Sequence, residues 1–237
     1  MKNLTYLLAL FAISLLCSCG SVDPAVDYGG NTFPKSGTTY TYHYHAVDST
    51  GATVPGSDTD WTATVISDNA NYMGKEKVFQ VDDNGTKNYY TYEHNGDVDL
   101  YLDPTAFGAA SIVNSPSYFA RWYTFPTVSH TMGVTVLDTT LTVTLPNFPL
   151  PVGINIKGTI GYVSEETITV GSESFKAQKC EFKVSAIALG SVTVFSYIQD
   201  ISFVSKIGYL AKSTTNTTFV GGSPSGDFRV LTSYALK

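Results

Sequence analysis

Between Gly37 and Val47 the chain alternates, with Tyr40, Tyr42 and Tyr44 on one side and Thr41, His43 and His45 on the other. Successive side chains of a strand point to opposite faces, so this period of two predicts a β-strand. The residues from Thr50 to Asp60 are polar and read as a loop or a wide hairpin end, and Trp61–Ser67 resumes the alternation. Next, Asp82-Asp83-Asn84-Gly85 separates Lys77–Val81 from Lys87–Glu93, and Asn95-Gly96 separates Tyr89–Glu93 from Val98–Leu102. Asn-Gly supplies the positive φ angles that tight hairpin turns require, which predicts a three-stranded antiparallel meander.

The pattern breaks from Asp103 to Phe119, where Pro104, Gly108 and Pro116 flank a small apolar run. A loop with at most one short helix near 104–113 is expected there. Alternation returns from Gly133 to Leu145, and the proline-rich Pro146–Pro151 cannot enter a sheet interior because proline has no N–H to donate. Further strands are predicted near 154–163, 166–170, 175–188, 191–204, 207–219 and 227–236. Thr, Ser, Tyr, Val and Gly are abundant and charges are scarce, a composition suited to pleated, half-exposed surfaces. The fold class is therefore all-β with minor α.

The N-terminus follows a different rule. Lys2 precedes an apolar run from Leu4 to Leu16, too short for a bilayer core that takes about 20 helical residues. Leu16-Cys17-Ser18-Cys19-Gly20 then resembles the lipobox of bacterial lipoprotein precursors, with Leu three places before Cys19 and two small residues between. Cys17 fits poorly, because Leu15 and Leu16 would fill the small-residue positions. The expected organisation is a lipoprotein signal peptide at 1–18, a flexible tether at 19–32 and a single antiparallel β domain at 33–237. Cys19 is the expected lipidation site and, through its acyl chains (palmitate among them), the membrane contact.

Removing residues 1–18 takes away one lysine, so the net charge of −6 becomes −7 over the 219 remaining residues. That length is ample for a hydrophobic core. With no basic cluster, nucleic acid is not an expected partner. Cys180 is the one thiol left in the domain, so no internal disulfide is expected; it reads as a small buried residue. Gly20, Ser21 and Val22 lack an aspartate beside Cys19 and lack an acidic cluster. The expected location is the outer membrane, on its periplasmic face in preference to the surface.

Several segments together resemble envelope lipoproteins with the LolA/LolB-like lipoprotein-carrier fold. FPKSGTTYTY (Phe33–Tyr42) is similar to their opening strand, and Met73–Tyr101 to the meander after it. WYTFP (Trp122–Pro126) resembles a mid-chain restart, while Glu165–Phe182, Tyr197 and Ile207–Ser213 are similar to the closing motifs. Gly171-Ser172-Glu173-Ser174 departs from the Pro-Ala-Gly-Thr type of turn common there. The resemblance implies a strongly curved antiparallel sheet, an open or half-closed barrel, in the cell envelope. It implies no reaction, since function is not carried by such a fold.

Candidate chemistry is sparse. His43 and His45 share a strand face at a spacing that suits one metal, but a site needs a third protein ligand. The candidates His94, His130 and Asp60 are remote in sequence, so two solvent-facing histidines on an edge strand are the plainer reading, and no metal or other cofactor is expected. Asp97-Val98-Asp99 with Asp103, and Asp82-Asp83-Asn84-Gly85, lack the twelve-residue ligand spacing of a calcium loop; turn chemistry explains both. Glu165 and Glu166 are adjacent, point to opposite faces of a strand and cannot share a substrate. No nucleophile elbow or zinc-hydrolase motif is present, so an enzyme is not expected. Tyr40, Tyr42, Tyr44, Tyr90, Tyr92 and Trp122 are the candidate ligand-facing aromatics; the competing reading is a sheet core. The function expected is a non-catalytic, lipid-anchored envelope protein binding an apolar ligand or another envelope component. The alternatives are a surface-exposed glycan-binding or adhesive module and, behind it, a hydrolase assembled from distant residues.

Overall fold

The computed structural model describes residues 30–103, 119–143 and 151–237. The expected signal peptide, Cys19, most of the expected tether, the segment near 104–113 and most of the proline-rich stretch lie outside the described residues. Twelve strands form one antiparallel sheet: β1 Thr39–Val47, β2 Thr59–Tyr72, β3 Lys75–Asp83, β4 Thr86–Tyr92, β5 Val98–Leu102, β6 Arg121–Phe125, β7 Val134–Val143, β8 Val152–Val170, β9 Glu173–Ala188, β10 Val192–Val204, β11 Tyr209–Phe219 and β12 Ser225–Ala235. No helix occurs among the described residues.

The spatial order is β6-β5-β4-β3-β2-β1-β12-β11-β10-β9-β8-β7. Two meanders, β1–β6 and β7–β12, are thus joined at their middle by the β1–β12 ladder, from Thr39↔Ala235 to Val47↔Gly226. The sheet curls into a half-closed barrel, as the sequence pattern and the resemblance led us to expect. Its two edges, β6 and β7, approach without a ladder. Arg121 donates to the Val136 carbonyl across this seam, and Tyr162 N donates to Thr131 O at 2.8 Å beside it. Sheets this wide rarely stay open, and curling hides most of the edge length.

Several elements depart from expectation. β8 is one 19-residue strand, not two; a bulge between Tyr162 and Ser164 absorbs the irregular stretch without ending the ladder. β1 is a central strand, because β12 returns from the far end of the chain to pair with it. β6 had no predicted strand of its own, being only five residues long. The 207–219 segment starts its strand two residues late, since Ile207 and Gly208 belong to the β10–β11 turn, where both amides donate to Val204 O. The Asn84-Gly85 turn has the expected positive φ at both residues (55° and 82°), the geometry of a two-residue hairpin.

The barrel interior is filled at one end. Tyr40, Tyr42 and Tyr90 are fully buried and reach across the lumen to the β10–β11 turn, with Phe203, Val204, Ile207 and Tyr209. Tyr40 stacks on Tyr209 at 5.0 Å, and Phe79 on Tyr90 at 4.8 Å. The hydroxyls of Tyr40, Tyr42, Tyr90 and Tyr92 each find a carbonyl. Tyr40 donates to Ile207 O at 3.2 Å, Tyr42 to Leu210 O at 2.5 Å, and Tyr90 to Gly208 O at 3.0 Å. Tyr92 lies 3.0 Å from both Gly208 O and Thr32 O. A buried phenol without a partner would be unfavourable, so these bonds fix the turn over the barrel end. The chain entering the domain completes the seal: Thr32 N donates to Ser205 O at 2.7 Å and Asn31 Nδ2 to Gly96 O at 2.7 Å.

Candidate functional site

Toward the opposite end the inward face changes character. Beyond Tyr42 the same rows carry Tyr44 and Trp61, then Asp83, Asn88, Gln199, Ser213, Thr215 and Arg229, around a cavity of about 390 Å³. Its chemistry follows from register. Tyr44 lies opposite Arg229, and Tyr42 opposite Trp61 on the other side, so one row of β1 feeds both the packed end and the open end. The rings of Tyr44 and Trp61 meet at 4.8 Å and 41° on the cavity wall.

Asp83 organises the floor. Its carboxylate accepts from Arg229 Nη1 at 2.5 Å, Trp61 Nε1 at 2.8 Å and Asn88 Nδ2 at 3.0 Å. Both charged side chains are well buried, at 14% and 6% exposure. Burial opposes the Arg229 charge, but Asp83 outweighs it and holds the guanidinium protonated, with its central carbon over the Tyr42 ring at 5.3 Å. The pair is therefore charge-neutral inside, and Asp227 adds one carboxylate at the rim. Such a lining offers hydrogen bonds and aromatic faces without a net positive field. It suits a small polar or amphipathic molecule, in the size range of ordinary ligand pockets.

The sequence-derived candidates divide between these environments. Tyr40, Tyr42, Tyr90 and Tyr92 lie in the packed end, and Tyr44 on the cavity wall. Trp122 belongs to neither: on the outer face it joins Tyr72, Tyr89 and Tyr101, with Tyr72 and Tyr89 stacked at 3.6 Å, and donates to Met73 O at 3.1 Å. Trp61 and Arg229 were not singled out in the sequence, and Asp83 was read only as a turn residue. Trp61 carried an inward-face signal, but nothing local reveals that an aspartate at a turn meets an arginine 146 residues later.

Other polar clusters have structural partners. Lys75 bridges Glu93 at 2.7 Å and the buried Asp99 beneath Trp122. Burial, and then the Glu93 hydrogen bond, push Asp99 up to about 6 in spite of Lys75, while Asp99 and Lys75 hold Glu93 down to about 2. Asp97 accepts from the amides of Val128 and Ser129 at 2.8 and 2.9 Å, which overcome its burial and lower its pKa. Glu165 pairs with Lys176 and Glu166 with Lys212, so the adjacent glutamates do work apart. Cys180 is fully buried, and burial pushes its thiol up to about 12. It is chemically quiet.

No family model and no curated protein matches this chain. Among solved structures it is similar to a Bacteroides fragilis NCTC 9343 protein provisionally described as exported and of YmcC-like fold, with TM-score 0.38 and 11% identity over 86% of this chain and 99% of that one. A provisionally described lipoprotein from Parabacteroides distasonis ATCC 8503 gives the same four values. The hypothetical lipoprotein YmcC from Escherichia coli K12 gives TM-score 0.33 and 9% identity over 84% of this chain and 89% of its own. At these scores the likenesses assign neither fold family nor function.

Proposed function

We propose that this chain is a non-catalytic envelope lipoprotein, anchored through Cys19, that binds a small neutral polyhydroxylated ligand such as a glycan unit in the open end of its barrel. The anchor rests on the Leu16–Gly20 motif behind the apolar run. The outer membrane's periplasmic face stays the expected location, and the curved-barrel resemblance to lipoprotein carriers agrees with this compartment. The ligand class rests on one observation: the cavity is walled by Tyr44 and Trp61 over the neutralised Asp83–Arg229 pair, with Asn88, Gln199, Ser213 and Thr215 around it. Aromatic faces can stack on sugar rings while the amides and hydroxyls meet their hydroxyls. The apolar half of the lumen is taken up by packed tyrosines among the described residues.

Native mass spectrometry of gently extracted protein, with added neutral oligosaccharides, tests the proposal. The expected result is a carbohydrate-mass adduct that Trp61→Ala removes while Trp122→Ala leaves it. An adduct of acyl-chain mass, or sugar binding indifferent to Trp61→Ala, overturns it.

A further inference from the structure

The outer face of β1, turned away from the cavity, holds a second and independent constellation. We infer that His43, His45 and Asp58 bind a divalent transition-metal cation of the zinc type, with Asp60 orienting His43. One donor atom from each of the three residues lies within 4.8 Å of the other two. A tetrahedral ion with bonds of about 2.0–2.1 Å sets its ligands roughly 3.3 Å apart. His43 Nε2 and Asp58 Oδ1 already stand 3.3 Å apart, so the remaining closure is a side-chain rotation of His45 toward them.

The two nitrogens of His43 are already differentiated. Nδ1 lies 2.8 Å from Asp60 Oδ1, its register partner across the β1–β2 ladder, while Nε2 lies 3.3 Å from Asp58 Oδ1. A proton held on Nδ1 by Asp60 leaves the Nε2 lone pair aimed at the cluster, the arrangement by which carboxylates position metal-binding imidazoles. His45 is held separately, stacked on Phe228 at 4.8 Å and 22°.

Asp58 arrives by a structured route. Asp48 accepts the amides of Thr50 and Ala52 at 2.8 and 3.1 Å, and Ser57 Oγ accepts Ala46 N at 3.0 Å, so the β1–β2 loop folds back over its own strand. Two imidazoles and a carboxylate are a donor set for zinc or copper rather than calcium or magnesium, which take oxygen ligands. Three protein ligands leave a coordination position for water. Neither His94 nor His130 takes part: the third ligand comes from a loop residue fifteen positions after His43.

The test uses the detergent-purified full chain, stripped with chelator and titrated with zinc chloride by calorimetry, with the imidazole NMR signals followed in parallel. One zinc per chain is expected, shifting the resonances of His43 and His45 among the four histidines. His43→Ala and His45→Ala each abolish saturable binding, and Asp60→Asn weakens it about 10- to 100-fold. Variants that bind zinc like the parent, an absence of saturable binding, or shifts at His94 and His130 instead overturn the inference. The NMR readout on the parent protein decides the matter even where a variant folds poorly.

Discussion

Asp83 shows how one side chain can set the character of a site. It sits at the end of β3, where local sequence says only that a turn follows, and the turn does follow at Asn84-Gly85. Its second role depends on Arg229, which the β12 strand carries into the same lumen. Removing one member of a buried ion pair strands the other charge, which costs about 3–5 kcal/mol, whereas replacing both with apolar residues of similar size is close to neutral. Asp83→Ala should accordingly lower the urea-unfolding free energy by about 3 kcal/mol or more, and Asp83→Leu combined with Arg229→Met should recover most of it. A single variant as stable as the parent would mean that the pair is solvated and the cavity wetter than its geometry implies.

At the scale of elements, the turns separate what is legible in sequence from what is not. Asn84-Gly85 and Gly190 are readable because tight turns need positive φ and few residues tolerate it. Gly208 looks like one more residue of a strand, yet it has φ +75°, and a Cβ there would stand 2.4 Å from Thr32 O. Its need for glycine comes from the entering chain crossing the β10–β11 turn, a contact between residues 176 positions apart that no local pattern encodes. Gly190 has a similar φ of +78° but open space around it. Gly190→Ala should cost about 1–2 kcal/mol from backbone strain alone. Gly208→Ala should lower the melting temperature distinctly further, and equal effects on thermal melting would show that the seal is loose.

The same division runs through the strands. Long alternating segments were readable because each faces the core on one side, and their hairpin order followed from short connections. The β1–β12 pairing depends on a partner far along the chain, β6 is too short to show a period, and the continuity of β8 rests on a bulge that interrupts the alternation. The candidate site shares this fate. The tyrosine rows were visible, but whether a given tyrosine is packing or cavity wall depends on how deep it lies in the barrel. Tyr42 and Tyr44 are two residues apart and fall on opposite sides of that boundary.

For the molecule as a whole, the two barrel ends have opposite assignments. The chain enters at Asn31 and Thr32, at the sealed end, while the cavity, the Asn84-Gly85 turn and the β1–β2 loop lie at the other. The anchor proposed on Cys19 would put the closed end nearer the bilayer than the cavity mouth. Fluorophores on cysteines placed at Lys206 and Gly51 of the protein in vesicles should report this: quenching by nitroxide-labelled lipid is expected to be stronger at position 206. The reverse order would place the mouth against the membrane and favour a ligand drawn from it.

The β1–β12 ladder also bears on time. Thr232 Oγ1 bonds to Thr41 O across 191 residues, so the strand that joins the two meanders is the last to be made. Closing so long a loop is an entropic obstacle to that one ladder, while the other ladders join strands consecutive in sequence. Until Ser225–Ala235 is available the chain is two half-sheets, each with an unsatisfied edge where the other belongs. A polypeptide that cannot finish folding before the Ser225–Ala235 strand emerges stays extended for longer, within reach of any partner that binds unfolded chain.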